Sequence, residues 1–475
     1  MQEDLLKNTQ KQVVELIEHG FYKEAEAICV QAEKVFENKS LKQLRTVATI
    51  GLKDWITAES LINELIKTNP SASDFNNLSI VKKNQNLLHE AKKYAHMAVK
   101  LNFTNPLYLA NFSCICWLLG EKKEAFEFID KAIELQESDV FWQNKASFFA
   151  DEKQYKQAID CYKNAIKIND KSDYYVEIFY ILAKQKRYID AWIFYEHRYV
   201  SMPQVSQIVQ RIKTPILPLD ANANSKIAIF YEQGLGDCLM YLRFIPLFKE
   251  KYPNSYILDT DDSMKNITKE ICIQKEQAIS ADTDFMLGMM SLPYHLGIKE
   301  IPPSFPNFIH KPCVTKYKKV GIVWAGGPYH PSDELRSAYL RDFEPILHQE
   351  DWQIFSLMKD KRKRKRVDSD EIIDYAEGFE EYKIIDLGPE ITDLKSTIEL
   401  LDQIDILISV DTAIVHIAGL KNVPTFLLIS ENCDWRWGVD DKFSDWYPNL
   451  QIFRKTKNET YKDLCVRLVK EIRGE

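Results

Sequence analysis

The pattern of apolar positions changes once along the chain. Up to about residue 200, small and large apolar residues recur at helical spacing, and the pattern repeats every 33 or 34 residues. After about residue 226, short runs of strand-forming residues alternate with segments of helix length. The first pattern predicts stacked helices, and the second predicts strands joined by crossover helices, as in parallel sheets. The sequence therefore predicts a helical region followed by an α/β region.

The helical region contains six similar units. An alanine marks the phase of each unit, at Ala25, Ala58, Ala91, Ala125, Ala158 and Ala191. Seven residues later the chain has Ala32, Leu65, Ala98, Ala132, Ala165 and Arg198, and three residues before each alanine it has Tyr22, Trp55, Leu88, Lys122, Tyr155 and Tyr188. Small residues at such positions let two antiparallel helices pack closely and stack on the next pair. Over residues 1–202 the units resemble the tetratricopeptide repeat (TPR), whose period is about 34 residues.

Stacked repeats of this kind form a concave surface that usually binds a peptide or another protein. We therefore expect a protein partner on the concave face, and a rigid spacer or a dimerisation platform is the alternative. The sixth unit departs from the pattern at Arg198, so we interpret it as a capping unit joined to the next domain. Three prolines then predict a linker over residues 203–225, because proline does not continue a helix.

The α/β region begins at Lys226. Apolar runs predict strands at residues 227–231, 255–259, 285–290, 319–324, 353–357, 383–386, 406–410 and 425–429. A group of prolines between the third and fourth runs divides them into two blocks, which predicts two Rossmann-like domains at residues 226–312 and 313–475. In open parallel sheets the ligand lies at the carboxyl ends of the strands, and each candidate motif follows one of these strands.

The first motif, QGLGD, follows the strand at residues 227–231 and contains Gly234, Gly236 and Asp237. A buried strand, a glycine turn and a helix N-terminus together form a site for an anionic or phosphorylated ligand. Asp237 lies at or near the helix N-cap, and capping alone is the simpler interpretation. Leu239 stands where a dinucleotide fingerprint has its third glycine, which disfavours a nicotinamide or flavin site.

The second motif, WAGGP, follows the strand at residues 319–324 and precedes a polar segment. Small residues allow backbone amides to face a ligand, and an arginine can hold a phosphate through two parallel hydrogen bonds. The alternative is a surface loop with a solvated arginine. The candidate residues here are Trp324, Gly326, Arg336 and Ser337.

The third motif, SVDTAIVHIAG, follows the strand at residues 406–410. Asp411 or Thr412 is expected to cap the next helix, so that the amides of Thr412 and Ala413 face the crevice and favour an anion. His416 lies one turn further along, on the same side. A histidine within a helix is otherwise often a satisfied core residue.

Two more segments complete the candidates. After the strand at residues 425–429 come Glu431, Trp435 and Arg436. The indole of Trp435 is suited to a base or sugar face, and the guanidinium of Arg436 is suited to phosphate. Tryptophans at this density also pack in cores, which is the alternative. The basic run at residues 359–366, beginning with Lys359, is typical of a solvated loop, and contact with a phosphate or an acidic partner is the alternative.

Composition narrows the class of protein. The net charge of −8 argues against a general nucleic-acid binder. The nine cysteines include no C-x-x-C pair, which favours reduced thiols and a cytoplasmic location. The polar start of the chain does not have the pattern of a signal peptide. No apolar run approaches the ~18 residues of a membrane span.

The motifs YEQGLGDCLMYLRFIP, VGIVWAGGPYHPSDELRS, SVDTAIVHIAGL and DWRWG, with DWYPNLQIFR after it, follow one another over roughly 250 residues. From about Lys226 onward, the chain resembles the heptosyltransferase-like (family 9) glycosyltransferases. The resemblance implies a GT-B fold, so the expected fold class is an all-α TPR solenoid followed by two Rossmann-like domains. The combination of repeats with a transferase also resembles flagellin glycosyltransferases, in which the repeats hold the acceptor protein.

The resemblance implies transfer of a sugar from a nucleotide-sugar donor to an acceptor hydroxyl on a protein or glycan. Asp237 would be the general base, and the donor's diphosphate would meet the helix N-terminus at residues 411–413 beside His416. Arg336, Lys359 and backbone amides would stabilise the leaving diphosphate, without a required metal or cofactor, and no Asp-x-Asp metal motif stands at a credible site. Further donor contacts would be Gly234, Gly236, Trp324, Gly326, Ser337, Glu431, Trp435 and Arg436.

The chain departs from the family pattern at two places. The family's WAGNP is WAGGP here, and Met358 replaces a glutamine common at the end of the next strand. Both positions touch the expected donor pocket, so they leave the donor's identity open. Two other functions remain alternatives: a scaffold whose transferase domain binds a nucleotide or glycan without turnover, and an isomerase or hydrolase on the same frame, such as a UDP-sugar epimerase.

Overall fold

The computed structural model describes residues 2–212, 214–258, 275–276, 279, 282–303, 318–327, 333–360, 363–365 and 372–475. The chain forms two compact units, Met1–Tyr174 and Tyr175–Glu475. The predicted fold class is confirmed: a TPR-like helical solenoid precedes a region of parallel sheets that is consistent with an α/β GT-B fold. The domain boundaries at residues 202, 225 and 312 stay predictions.

The first unit is built from antiparallel helix pairs. Its helices are α1 Gln2–Glu18, α2 Tyr22–Glu33, α3 Lys39–Gly51, α4 Trp55–Thr68, α5 Ala72–Asn84, α6 Leu88–Leu101, α7 Pro106–Leu118, α8 Lys122–Leu135, α9 Asp139–Asp151, α10 Tyr155–Ile168 and the start of α11 Ser172–Lys184. The phase-marking alanines are fully buried, from Ala25 to Ala158. An alanine lets the neighbouring helix approach closely, so the predicted repeat phase is confirmed.

The turns between paired helices show a second periodic signal. Each contains one residue with positive φ, and these residues are Gly20, Lys53, Asn86, Gly120, Lys153 and Lys186. The left-handed conformation ends a helix, and glycine and asparagine adopt it most readily. Lysine takes this position in three of the turns, which explains why a search for glycine alone does not reveal the period.

The second unit begins with short helices and continues into a parallel sheet. The helices are α12 Tyr188–Tyr195, α13 Arg198–Ser201 and α14 Pro203–Arg211, and the strands are β1 Ile227–Phe230, β2 Tyr256–Leu258, β3 Lys275–Glu276 and β4 Phe285–Gly288, in the order β3–β2–β1–β4. Helix α14 lies in the segment predicted as a linker. Pro203 occupies its first turn, where proline is tolerated, and Ile208 and Val209 pack against the core of this sheet.

Helices follow strands in this domain: α15 Leu235–Tyr241, α16 Ile245–Lys251 and α17 Leu292–Leu296. A second sheet comprises β5 Lys318–Val323, β6 Trp352–Ser356, β9 Ile384–Asp386, β10 Ile406–Val410, β11 Thr425–Ile429 and β12 Leu450–Arg454, and β7 Lys363–Lys365 pairs with β8 Ile372–Asp374 in an antiparallel hairpin. Its helices are α18 Asp333–Arg336, α19 Glu344–Leu347, α20 Leu394–Leu400, α21 Ala413–Leu420 and α22 Tyr461–Arg473. The predicted strands agree with the observed ones to within two residues, whereas β3, β7, β8 and β12 were not predicted.

The order of the larger sheet, β12–β11–β10–β5–β6–β9, explains where its motifs meet. The chain proceeds from β5 outward to β6 and β9, and then returns to β10 on the other side of β5. Ligands of open parallel sheets bind at this reversal, outside the carboxyl ends of the strands. The segments that follow β5, β10 and β11 therefore share one edge. In the smaller sheet the corresponding reversal lies between β1 and β4.

Two absences apply to the described residues. None of their helices is both long and apolar enough to span a lipid bilayer, and none of their cysteines forms a disulfide. Most of the basic run at residues 359–366 lies outside the described side chains, apart from Lys359 and Asp360, which are exposed.

Candidate functional site

The glycine loop after β1 and the helix after β10 contact each other directly. Helix α15 begins at the loop and packs against α21. A Cβ atom at Gly236 would lie 2.7 Å from Cδ2 and 3.1 Å from Nε2 of His416. Glycine is thus required by the close approach of the imidazole. The structure brings together two motifs that are 180 residues apart in the chain.

Asp237 occupies the third position of α15. One carboxylate oxygen accepts a hydrogen bond of 3.3 Å from the amide of Gly234, the N-cap residue. The other oxygen accepts from the guanidinium of Arg436, which lies in the motif after β11. Asp237 therefore does what the simpler interpretation expected, since it closes the helix N-terminus, and it also joins the two sheets through an ion pair.

Arg436 is the cation of this polar group. Besides Asp237 it pairs with Asp434 at 2.9 Å. Burial alone would lower the pKa of the guanidinium, but the carboxylates of Asp434 and Asp237 outweigh it and raise that pKa above its usual range. One nitrogen, Nε, is buried without a hydrogen-bond partner among the described residues. Arg436 is therefore a fixed positive charge with unused donor capacity.

The helix after β10 starts as predicted. Thr412 is the N-cap residue of α21 and has extended backbone angles, and Ala413 is the first helical residue, so both amides lie in the first turn. The carboxylate of Asp411 accepts a 2.9 Å hydrogen bond from the indole of Trp437. This bond holds the motif after β11 against the helix start.

His416 is buried, with 3% of its surface exposed. Its Nδ1 forms a 2.9 Å hydrogen bond with the hydroxyl of Tyr447, and its ring stacks on Trp437 with centroids 5.6 Å apart. Burial, together with the guanidinium groups of Arg436 and Arg243, lowers the pKa of His416 well below its usual value. The imidazole is therefore neutral at physiological pH.

The loop after β5 forms a second polar group. The amide of Gly326 donates to the hydroxyl of Ser337 at 3.0 Å, and that hydroxyl donates to Asp333 at 2.8 Å. A Cβ at Gly326 would lie 2.8 Å from Nη2 of Arg336, so the guanidinium lies across the glycine backbone. Trp324 is fully buried, and its role in this structure is packing, next to Phe379.

The remaining candidates differ in exposure. Trp435 is buried among aromatic rings, with centroids 5.3 Å from Phe179 and 5.8 Å from Trp446. Packing, the alternative interpretation of this tryptophan, thus describes its observed contacts. Glu431 and Lys359 are exposed on the segments that follow β11 and β6.

Arg198, where the repeat pattern breaks, is fully buried and pairs with Glu232, the second residue after β1. Nε donates to Oε2 at 2.9 Å and Nη2 donates to Oε1 at 2.7 Å. Both side chains have 0% exposure. Arg198 also donates to Glu196 at 3.0 Å and to the hydroxyl of Ser291, after β4, at 2.7 Å. The interpretation of the sixth unit as one joined to the next domain is consistent with this buried pair.

The same helical unit also holds the glycine loop. Gln233 has φ of +64°, a left-handed conformation that is unusual outside glycine. The side-chain nitrogen Nε2 of Gln233 donates to the hydroxyl of Tyr195 at 2.5 Å. The two residues that precede Gly234 are therefore fixed by α12 and α13.

Sequence reasoning did not select several residues of this network, namely Arg198, Glu232, Arg243, Asp434, Trp437 and Tyr447. All of them except Arg198 belong to segments that carry the family resemblance, but their spacing gives no sign of their contacts. Arg198 did leave a signal, because a charged residue replaced a small one in phase with the repeats.

Among the described residues, one group has metal-ligand spacing: Cys116, Glu121 and Glu124 in the first unit. The ammonium of Lys92 bonds to both carboxylates, at 2.7 Å in the case of Glu124. Burial raises the pKa of the Cys116 thiol, so the thiolate ligand is disfavoured. A salt bridge accounts for this group.

Comparison with protein families matches the tetratricopeptide repeat at residues 108–139 and 140–172. These segments coincide with α7–α8 and α9–α10 and the turns that follow them. The predicted repeats are thereby confirmed, and such repeats suggest a protein-interaction scaffold. No curated protein matches the chain.

Solved structures of repeat proteins are similar to part of the chain. A thermophilic TPR protein of Thermus thermophilus has 17% identity and a TM-score of 0.35, covering 37% of this chain and 98% of that one. YrrB, a TPR protein with an unusual peptide-binding site, has 15% identity and a TM-score of 0.27, covering 34% and 85%. The Cut9–Hcn1 hetero-tetramer of the APC/C has 12% identity and a TM-score of 0.39, covering 43% and 42%.

Proposed function

We propose that the chain is a heptosyltransferase-like glycosyltransferase that transfers a sugar from a nucleotide-sugar donor to an acceptor hydroxyl. The observation that carries the proposal is the meeting of Asp237, Arg436 and His416 where the helices after β1 and β10 touch. A carboxylate, a buried cation and a helix N-terminus lie together at the carboxyl ends of two parallel sheets. These groups suit a reaction in which a hydroxyl loses a proton while a diphosphate leaves.

The donor's diphosphate is proposed to bind at the first turn of α21. The amides of Thr412 and Ala413 and the positive end of the helix dipole favour an anion there. Arg436 adds a positive charge and an Nε–H with no partner in the described part of the chain. Arg336 and Lys359, on the segments after β5 and β6, would contribute further charge to the same sheet edge. His416 would contribute one neutral ring nitrogen.

In the proposed step, the acceptor oxygen bonds to the anomeric carbon while the bond from that carbon to the diphosphate oxygen breaks. The acceptor's proton passes to Asp237, and the leaving diphosphate keeps the electron pair. One oxygen of Asp237 is occupied by Arg436 in this structure. A diphosphate that takes over this guanidinium would leave the oxygen available to the acceptor hydroxyl, which favours donor binding before acceptor binding.

The repeats are proposed to hold the acceptor, which is a protein or a glycan attached to one. TPR domains bind proteins on their concave surfaces, and a tethered acceptor reaches the site at a higher effective concentration. The first unit would then determine which protein is modified, and the second would determine the sugar. Deletion of the repeats should raise the KM for a protein acceptor much more than the KM for the donor.

The test is a thermal-shift screen against UDP-, GDP-, ADP- and dTDP-sugars, followed by a transfer assay with the donor that binds. A ligand at about 100 times its Kd should stabilise the protein by ~2.7 kcal/mol. Asp237→Asn should abolish transfer and keep donor affinity within a few-fold, since the base acts on the acceptor. Asp393→Asn is the matched control: it changes another helix-start aspartate, which accepts from Ser396 at 2.7 Å, and should retain transfer. Full turnover in Asp237→Asn would contradict the base assignment.

A scaffold that binds a nucleotide or glycan without turnover is the second candidate. It is favoured by the family match, which concerns repeats, and by the engagement of Asp237 with Arg436. A donor that binds but yields neither transfer nor release of its sugar, with every acceptor captured by the repeats, would establish this function instead.

A further inference from the structure

His416 is held between two rigid neighbours. Tyr447 contacts one edge through the 2.9 Å bond to Nδ1, and the indole of Trp437 covers one face of the ring. Gly419 makes room for the tyrosine, since a Cβ there would lie 2.3 Å from a carbon of its ring. The orientation of the imidazole is therefore fixed, and only the position of its proton remains to be determined.

Arg243 places a buried positive charge beside Tyr447. Its guanidinium carbon lies 5.1 Å from the centroid of the phenol ring. Nη1 donates to the carbonyl oxygens of Trp446 at 2.7 Å and Pro302 at 3.1 Å, and Nε donates to that of Met240 at 3.0 Å. Within the described residues no carboxylate pairs with this guanidinium, so its charge acts on the adjacent phenol and imidazole.

These charges determine which partner donates in the bond between tyrosine and histidine. Burial raises the pKa of Tyr447, so its hydroxyl keeps its hydrogen. A neutral imidazole has one donor and one acceptor nitrogen. If Nδ1 donated to the tyrosine oxygen, the hydroxyl hydrogen of Tyr447 would have to point away from His416. Pointing toward Arg243 would be the least favourable direction, because the hydrogen and the guanidinium are both positive. If Tyr447 donates, its oxygen lone pairs are free to face the cation.

We infer that Tyr447, oriented by Arg243, donates to Nδ1 of His416 and thereby fixes the imidazole as a neutral Nε2–H donor directed at the glycine loop. The hydrogen bond at one ring nitrogen determines the proton at the other. Nε2 is the nitrogen that lies 3.1 Å from the Cβ position of Gly236, so its N–H reaches the first turn of α15. Arg243 and Tyr447 are positioning residues in this arrangement.

This inference rests on the proposed function for its ligand, which is an anionic oxygen of a nucleoside diphosphate. A neutral N–H donor binds such an oxygen without having to be protonated first. It also cannot accept the acceptor's proton at Nε2, which leaves that role to Asp237. The absence of a side chain at Gly236 is what lets the imidazole approach the glycine loop this closely.

The tautomer is measured directly by two-bond ¹⁵N–¹H correlation spectra of the full chain labelled with [¹⁵N]histidine. His416→Gln identifies the signals by their loss. We expect Nε2 to have the shift of a protonated nitrogen and Nδ1 that of an unprotonated one, unchanged between pH 6 and 8. An Nδ1–H tautomer or an imidazolium in the wild-type protein would overturn the inference, whatever the protein's activity.

Two substitutions test the cause. Tyr447→Phe removes the donor and should give a mixture of tautomers, whereas Arg243→Lys keeps the charge and should retain the Nε2–H form. The matched control is Tyr382→Phe, which removes a hydroxyl bonded to Glu344 at 3.2 Å in the same sheet's domain and should leave the His416 signals unchanged. A single Nε2–H tautomer that persists in folded Tyr447→Phe would contradict the positioning role.

The ligand is tested by titrating the same sample with UDP, GDP, ADP and dTDP. The nucleotide that binds should shift the Nε2 signal, and Tyr447→Phe should weaken its binding by about three- to tenfold, as expected for one hydrogen bond. A bound nucleotide that leaves Nε2 unmoved would overturn the ligand assignment alone. If none of them binds, the proposed function fails as well, whereas the tautomer is decided independently by the ligand-free spectra.

Discussion

One position of the helical repeat has two different occupants. In the first five units it is a small or medium apolar residue, Ala32, Leu65, Ala98, Ala132 and Ala165, and it is buried against neighbouring helices. In the sixth unit it is Arg198, which is as fully buried as the alanines but pairs with Glu232. The position in the repeat is the same, but its side chain packs against a helix in the first five units and binds the loop after β1 in the sixth. A break in a repeat therefore identifies where a solenoid gains a new neighbour.

The two occupants also differ in how their burial is stabilised. An alanine at a helix contact gains from dispersion and from the close approach of the next helix. A buried guanidinium loses its hydration, and hydrogen bonds to Glu232, Glu196 and Ser291 must compensate for that loss. The sixth unit is therefore specific for one partner, whereas the earlier units are interchangeable in principle.

The largest effect should come from Arg198→Ala, which leaves Glu232 buried without its cation. We expect the free energy of unfolding of the second unit to fall by about 3–5 kcal/mol, measured by urea unfolding. Arg187→Ala removes an exposed pair in the same helical unit, with Asp190 at 2.7 Å, and should cost no more than about 1 kcal/mol. Equal losses in both variants would refute the special role of position 198.

A double variant refines this prediction. Arg198→Met with Glu232→Gln removes both charges and keeps an acceptor for the amide of Met290, which bonds to Glu232 at 2.9 Å. The double variant should be more stable than Arg198→Ala, because the fully buried residue 232 no longer carries an unpaired charge. If the double variant is less stable than Arg198→Ala, the ion pair between Arg198 and Glu232 stabilises the fold by more than it costs to bury Glu232 without its cation.

Enlarging the alanine at the same repeat position in an earlier unit should lower the free energy of unfolding by a smaller amount. Ala132→Leu adds three carbons at a fully buried contact and should destabilise the first unit by about 1–3 kcal/mol, as measured by thermal unfolding followed by circular dichroism. Glu127→Leu, on the exposed side of the same helix α8, is the control and should change stability by less than about 0.5 kcal/mol. No loss in Ala132→Leu would mean that the repeat contact is loose.

Tyr195→Phe should cost about 1 kcal/mol, since it removes only the hydroxyl that accepts from Gln233. We expect faster hydrogen exchange at the amides of the glycine loop, measured by mass spectrometry. A double-mutant cycle with Gln233→Ala should show non-additive losses. Additive losses would show that the tyrosine does not hold the loop through this bond.

The smallest effect should be an acid sensitivity of the first unit. Burial opposes ionisation of Asp139, but hydrogen bonds from Lys171 and Tyr174 outweigh it and lower the pKa of the carboxyl to about 2. A lowered pKa stabilises the fold above the unfolded value of ~3.9, and this stability is lost as pH falls from about 4 toward 2. Because the pair is partly hydrated, we expect only ~0.2–1 kcal/mol. Unfolding midpoints of Asp139→Asn and wild type should differ at pH 6 and converge near pH 2.

The sequence predicts elements better than contacts. The repeat phase was readable because alanine recurs at one helical position, and most strands were readable because apolar runs such as residues 406–410 lie between turn residues. Strand β12 was not predicted because Leu450–Arg454 follows a tryptophan-rich segment with no strand pattern. The helix starts near Asp237 and Thr412 were predictable because each follows a strand, and their role as a site stays a prediction.

The side-chain partners could not be predicted in the same way. The pairing of Asp237 with Arg436 joins two motifs 199 residues apart, and it depends on how the two sheets face each other. Nothing in the local sequence of Tyr447 indicates a bond to His416. These contacts arise from tertiary packing, which periodicity does not encode.

The contact between Gly236 and His416 has a consequence for how closely the two sheets can approach. The imidazole lies where a methyl group on residue 236 would be, so a single carbon is enough to act as a spacer between them. We therefore expect Gly236→Ala to force helices α15 and α21 apart or to displace the His416 ring. The contact between the two helices thus depends on the absence of a Cβ atom at residue 236.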